Sequence, residues 1–238
     1  MIRVENVTKM FGQKKALDGL TMTVPRGSVY GLMGVNGAGK TTIIRHLAGF
    51  LIQDEGLITV EGETVADNEI LKERMIFIPD EIYFFRGYSL KEEADYYSRI
   101  YPNWDQERFA HMVSDFGLDL NQNMGKFSRG MRKQAAFCLA MSAKPDYLIL
   151  DEPVDGLDPI VRHKLKHYIF EDVADREMTV LISSHNAKEM EDMCNYIGLM
   201  KNGRMVYEGD LMELDNVTVE SLFLEKLDDS YEGGEINE

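Results

Sequence analysis

The segment Gly34-Val-Asn-Gly-Ala-Gly39-Lys40-Thr41-Thr42 constrains this chain more than any other. It follows a short apolar run at 29–33 (VYGLM) and precedes a helical pattern at 41–50. The spacing fits G-x-x-x-x-G-K-[ST], in the strand–loop–helix setting that pattern requires. Its glycines let successive backbone N–H groups turn inward, and the helix that follows offers the positive end of its dipole. Gly34, Asn36, Gly37, Ala38, Gly39 and Thr42 are thus candidates to surround bound phosphates. Lys40 reaches the outer phosphates as a point charge, and the Thr41 hydroxyl is placed to ligate Mg²⁺.

A second feature sits at the end of another buried strand. The run at 147–150 (YLIL) leads into Asp151-Glu152-Pro153, and the run at 179–183 (TVLIS) is equally apolar. Continuous apolar strands belong to a sheet covered on both faces. Ligands of parallel sheets bind beyond the carboxyl ends of the strands. Asp151 is placed to hold Mg²⁺ through water, and Glu152 to orient or deprotonate an attacking water.

The first sixty residues read mainly as strands, with Ile2, Val4 and Val7 in one and Leu20, Met22 and Val24 in another. Stretches at 56–60 and 75–78 are further short strands, the latter stopped by Pro79. At Ser89-Leu-Lys-Glu92 a capping box opens a helical region that runs to about residue 143, with a break at Tyr101-Pro102-Asn103. The span 88–145 therefore reads as a helical subdomain inserted into the α/β core. Asp158-Pro159 starts a later helix, with Asp as cap and Pro in its first position.

Composition narrows the partners. With 26 basic and 41 acidic residues the net charge is -15, and phosphate-rich nucleic acid needs clustered cations, so no nucleic-acid partner is expected. Part of the excess acid lies at 228–238, which reads as a solvated, frayed tail behind a single domain at 1–227. No apolar stretch approaches the ~20 residues of a bilayer span, and the opening MIRVENVTKM has no export-type apolar region. Any spanning of a membrane falls to another chain. Cys138 and Cys194 read as reduced thiols in helices. His163 and His167 read as a surface pair, since Lys164 stands where a zinc protease has Glu.

Three more motifs narrow the class. Phe127-Ser128-Arg129-Gly130-Met131 opens a helix of small residues, Val154-Asp155-Gly156-Leu157-Asp158 follows the acidic pair, and Ser183-Ser184-His185 ends an apolar strand. Together with the phosphate loop and acidic pair, they resemble the signature, D-loop and switch histidine of ATP-binding-cassette (ABC) ATPases. The resemblance covers 2–227. It implies a phosphate-loop NTPase (RecA-like) core with an N-terminal antiparallel β subdomain and an inserted helical subdomain.

It also implies two cassettes packed head to tail, a homodimer or a paralogous pair, with ATP sandwiched between them. Phe11 would stack on adenine, and His185 would reach the γ-phosphate. Ser128 and Gly130 would serve the ATP of the partner cassette. Two positions depart from the family pattern. Arg129 replaces the first signature glycine, which leaves a phosphate contact or a solvent position open. Asp80 stands where the family has a glutamine that contacts Mg²⁺. These departures resemble ATPase subunits of bacterial ABC-2-type drug and antibiotic exporters. The implied protein is cytoplasmic, held at the inner face of the cell membrane by an integral-membrane permease. The alternative is a soluble ABC ATPase. Too few residues separate Lys40 from Ser128 for the long coiled coil of the DNA-repair members, which leaves a cluster-assembly ATPase as the nearest soluble option.

Overall fold

The computed structural model describes residues 1–66, 68–214 and 217–227. The acidic tail expected at 228–238 lies outside the described residues. The chain opens with two long strands, β1 (Ile2–Phe11) and β2 (Lys14–Val24). The strand β3 (Val29–Gly34) then feeds helix α1 (Lys40–Leu47). A second antiparallel section follows, β4 (Glu55–Val60) and β5 (Glu63–Thr64), then α2 (Glu69–Glu73) and β6 (Met75–Ile78). Three helices come next: α3 (Leu90–Ile100), α4 (Gln106–Phe116) and α5 (Arg129–Ser142). The chain closes with β7 (Tyr147–Asp151), α6 (Pro159–Arg176), β8 (Thr179–Ser184), α7 (Ala187–Met193), β9 (Tyr196–Lys201), β10 (Arg204–Asp210) and α8 (Val219–Leu227).

Two sheets result. One is antiparallel with order β2-β1-β4-β5, and the other has order β10-β9-β3-β8-β7-β6. In the larger sheet β9, β3, β8, β7 and β6 pair in parallel, and β10 pairs antiparallel at the edge. This is the α/β architecture expected, with α3 to α5 lying in sequence between β6 and β7.

Alternation along the central strands explains the layering. In β3, Val29 and Met33 belong to one buried cluster, and Tyr30 and Leu32 to another. In β7, Leu148 and Leu150 face the first, Tyr147 and Ile149 the second. Helices α5 and α6 fill the first cluster; α1 and the antiparallel sheet fill the second. Burying each such Leu or Ile contributes roughly 2 kcal/mol. A one-residue slip would still bury apolar side chains, so register here is set by volume on each face rather than by polarity.

Helix ends follow their local chemistry. Ser89 and Glu92 make the reciprocal bonds of a capping box at the start of α3. Asp158 Oδ1 accepts from the N–H groups of Ile160 and Val161 at 3.0 Å each, ahead of Pro159. Cys138 lies buried in α5, whereas Cys194 sits just past α7 as its C-cap, not within a helix as the sequence pattern suggested. His163 and His167 are both exposed on α6. Among the described residues no helix is long and apolar enough to cross a membrane.

Candidate nucleotide site

The carboxyl ends of β3 and β7 and the start of α1 meet around a cleft of ≈ 320 Å³. Its wall holds Asn36, Gly37, Ala38, Gly39, Lys40, Thr41, Thr42, Asp80, Asp151 and Glu152, together with Lys14 and Ala16 from β2. Packing requires two of the loop's glycines. A Cβ on Gly34 would lie 2.5 Å from the Met200 carbonyl oxygen. Gly39 has φ of 110°, and its Cβ would lie 2.7 Å from the Ala16 carbonyl oxygen. Gly39 is also the N-cap of α1, and no side chain caps that end. The first-turn N–H groups of α1 thus remain available to an anion.

Lys40 is buried, and its Nζ donates to the Gly34 carbonyl at 2.6 Å. Burial pushes its pKa below the usual lysine value, opposed by the nearby carboxylates of Glu152 and Asp151. Those carboxylates keep the ammonium form favoured, as a phosphate ligand requires. Thr41 Oγ1 donates to Asp151 Oδ2 at 3.3 Å, and the Ser183 hydroxyl donates to the other Asp151 oxygen. A hydroxyl and a carboxylate on adjacent elements form a hard-oxygen pair. That pair suits Mg²⁺, which keeps waters and takes its remaining ligands from phosphate. Thr41 and Asp151 would hold such an ion, and the ion would neutralise charge on the phosphates.

Glu152 follows directly. Its backbone is left-handed, with φ of 49°, an uncommon conformation for a residue with a side chain. Its N–H donates to the Ser183 carbonyl at 3.2 Å and to Ser183 Oγ at 3.1 Å. Both of its carboxylate oxygens lie 3.1 Å from His185 Nδ1. The structure therefore brings Lys40, Thr41, Asp151, Glu152 and His185 to one place.

Other residues named from the sequence lie elsewhere. Phe11 ends β1, about half exposed, with Lys9 Nζ 5.9 Å from its ring centre. It pairs across the strands with Lys14, which lines the cleft, but is not itself in the wall. Ser128 and Gly130 do not line the cleft either. Ser128 is the exposed N-cap of α5, and its Oγ accepts from the Met131 N–H at 3.2 Å.

Arg129 lies mostly in solvent, with its guanidinium held by two carboxylates. It bonds Asp80 at 2.8 Å and Asp155 at 3.0 Å. Asp80 is also bonded by Lys133 at 3.0 Å. Burial alone would raise the Asp80 pKa, but hydrogen bonds from Lys133 and Arg129 outweigh it and hold the carboxyl below its usual range. The Asp80 carboxylate, which also lines the cleft, is engaged by two cations of α5. The physical reason is the pair of substitutions itself, since a carboxylate and a guanidinium within reach of each other neutralise one another.

Sequence reasoning missed Lys133 and the bond between Ser183 and Asp151. The signal for Lys133 was a lysine one turn beyond Arg129, on a helix otherwise rich in small and apolar residues.

A family model for ABC transporters matches residues 17–155. The chain belongs to that family. It is 30% identical over 214 residues to the ABC transporter ATP-binding protein YtrB of Bacillus subtilis (strain 168), covering 90% of this chain and 73% of that one. It is 33% identical over 212 residues to the bacitracin transport ATP-binding protein BcrA of Bacillus licheniformis, covering 87% of this chain and 69% of that one. A solved ATP-binding subunit of an ABC transporter superposes with a TM-score of 0.86 at 26% identity, over 94% of this chain and 98% of that one. The cassette is thus an ATP-binding subunit of an ABC transporter, and its reaction is ATP hydrolysis.

Proposed function

We propose that this cassette is the motor of an exporter. It would work with a second cassette, of the same or a paralogous chain, on a separate integral-membrane permease at the inner face of the cell membrane. In this reading ATP sits on the phosphate loop with Gly34, Asn36, Gly37, Ala38, Gly39 and Thr42 around its phosphates, Lys40 on the β- and γ-phosphates, and Phe11 against the base. Thr41 and Asp151 hold Mg²⁺. Glu152 takes the proton of the attacking water, while His185 hydrogen-bonds the γ-phosphate and keeps the Glu152 carboxylate turned toward it.

One observation carries the paired arrangement. A Cβ on Gly130 would meet only Leu157 Cδ2 at 3.5 Å and Ser128 Oγ at 4.0 Å, ordinary spacing at an ordinary φ. The chain's own packing does not require that glycine, and Ser128 lies outside its own cleft. A small capped helix start of this kind suits close approach from outside the chain. The nucleotide held by a partner's Lys40 fills that role.

The exposed aromatic surface supports the membrane partner. Tyr83 is 83% exposed, and Phe85 packs against Tyr88 and Tyr96 at ring distances of 5.2 and 4.9 Å. Contiguous exposed aromatics mark contact surfaces. The similarity to a bacitracin transport ATP-binding protein supports transport, and the resemblance at Asp80 and Arg129 to exporter ATPases supports its direction. Affinity purification from detergent-solubilised membranes tests the proposal. It should recover a membrane-embedded protein in fixed ratio with the cassette. Recovery of the cassette only from the soluble fraction, with no membrane protein attached, would establish the soluble alternative.

A further inference from the structure

Helix α5 buries one full cation. Lys133 is 4% exposed, although Ala136, Phe137 and Ala140 on the same face are the apolar residues expected there. Its Nζ donates to the Glu152 carbonyl at 2.6 Å and to the Asp155 carbonyl at 3.2 Å, and pairs with Asp80 Oδ1 at 3.0 Å. An ammonium has three protons, and all three are used. Burying the charge is costly unless every proton is engaged, so a methionine here would pack at less cost.

The Glu152 carbonyl is the acceptor that matters. Glu152 holds a left-handed backbone, which persists only where surroundings fix it. Ser183 fixes the N–H side through two bonds, and Lys133 fixes the carbonyl side. The peptide is clamped at both ends, and the direction of the side chain follows.

We propose that Lys133 is a positioning residue for ATP hydrolysis, holding the turn that aims the Glu152 carboxylate into the cleft. This rests on Glu152 being the group that activates water. Asp80, shared by Lys133 and Arg129, extends the same brace to the end of β6.

The test is a double-mutant cycle read by phosphate release, with binding of a fluorescent ATP analogue measured alongside. Lys133→Met should lower kcat about tenfold, a fraction of the full effect of a misplaced base, with KM and analogue affinity within about twofold. Lys133→Gln keeps an N–H donor for the carbonyls and should slow kcat only about threefold. In a Glu152→Gln background Lys133→Met should have no further effect, because the group it positions is gone.

A normal kcat in Lys133→Met, an equal fall in both backgrounds, or a Lys133→Gln as slow as Lys133→Met would overturn the proposal. Glu152→Gln on its own reads the other assumption, since a normal rate there removes Glu152 as the base whatever Lys133 does. Should circular dichroism show Lys133→Met unfolded, Lys133→Gln serves alone. It should slow the wild-type background about threefold and leave the Glu152→Gln background unchanged, and equal slowing of both would overturn the idea.

Discussion

Helices α1 and α5 both begin at small residues, yet the two starts are built differently. At α1 the cap is Gly39, no side chain bonds the free N–H groups, and the glycines are demanded by neighbouring backbone. At α5 the cap is Ser128, its hydroxyl is already engaged, and Gly130 has room around it. The first helix start suits an anion from its own side. The second carries Arg129 in its first turn, an unfavourable place for a cation, offset by Asp80 and Asp155 from other loops. It is a braced, presented surface. On the proposed reading, the difference teaches that one chain holds one complete half of a site and one half that is complete only against a partner cassette.

The contrast can be broken from the α1 side. Lys40→Ala removes the ammonium from the phosphate nest and should abolish tight ATP binding or turnover, measured by phosphate release. Unchanged ATPase activity would remove the loop from the account. Next comes Glu152→Gln, which should keep ATP binding but slow hydrolysis by ~10² or more, in the range for losing a positioned base. It should also trap an ATP-bound dimer in size-exclusion chromatography. A normal rate would contradict the assigned role.

The effect at Arg129, on the α5 side, should be smaller. Arg129 is largely exposed, and exposed ion pairs contribute little. Arg129→Ala should therefore shift Tm by less than about 3 °C. A larger loss would mean the brace is structural in its own right.

The smallest effect sharpens the picture of α1. His46 is buried in the last turn of α1, with Nδ1 2.7 Å from the Thr42 carbonyl. Burial lowers its pKa from 6.5, partly offset by the bond to Thr42. The folded state thus prefers the neutral ring. That contribution is present above the unfolded value of 6.5 and is lost as pH falls from there toward the lower folded value. Thermal unfolding between about pH 7.5 and about pH 5.5 should show a decline that is shallower in His46→Gln. Parallel curves would show that His46 does not contribute to it.

What could be read beforehand follows the same division. The phosphate loop was legible because backbone geometry demands glycine at fixed spacing, and β7 was legible because its burial on both faces leaves an unbroken apolar run. The caps at Ser89 and Asp158 were legible because they act within four residues. The role of Asp80 was not legible in this way. Its partners Arg129 and Lys133 lie about fifty residues away, and no local pattern says which carboxylate a cation will meet. Ser128 was found only through family resemblance, since a serine cap alone says nothing about a partner.

The central claim is that Ser128 serves a nucleotide held by another cassette. The direct measurement is binding of a fluorescent ATP analogue to monomeric Ser128→Arg, beside its phosphate release. The account predicts affinity close to wild type with hydrolysis sharply reduced, because the residue lies outside its own cleft. Loss of analogue binding in a folded Ser128→Arg monomer would show that the serine acts within its own chain, and would contradict the account.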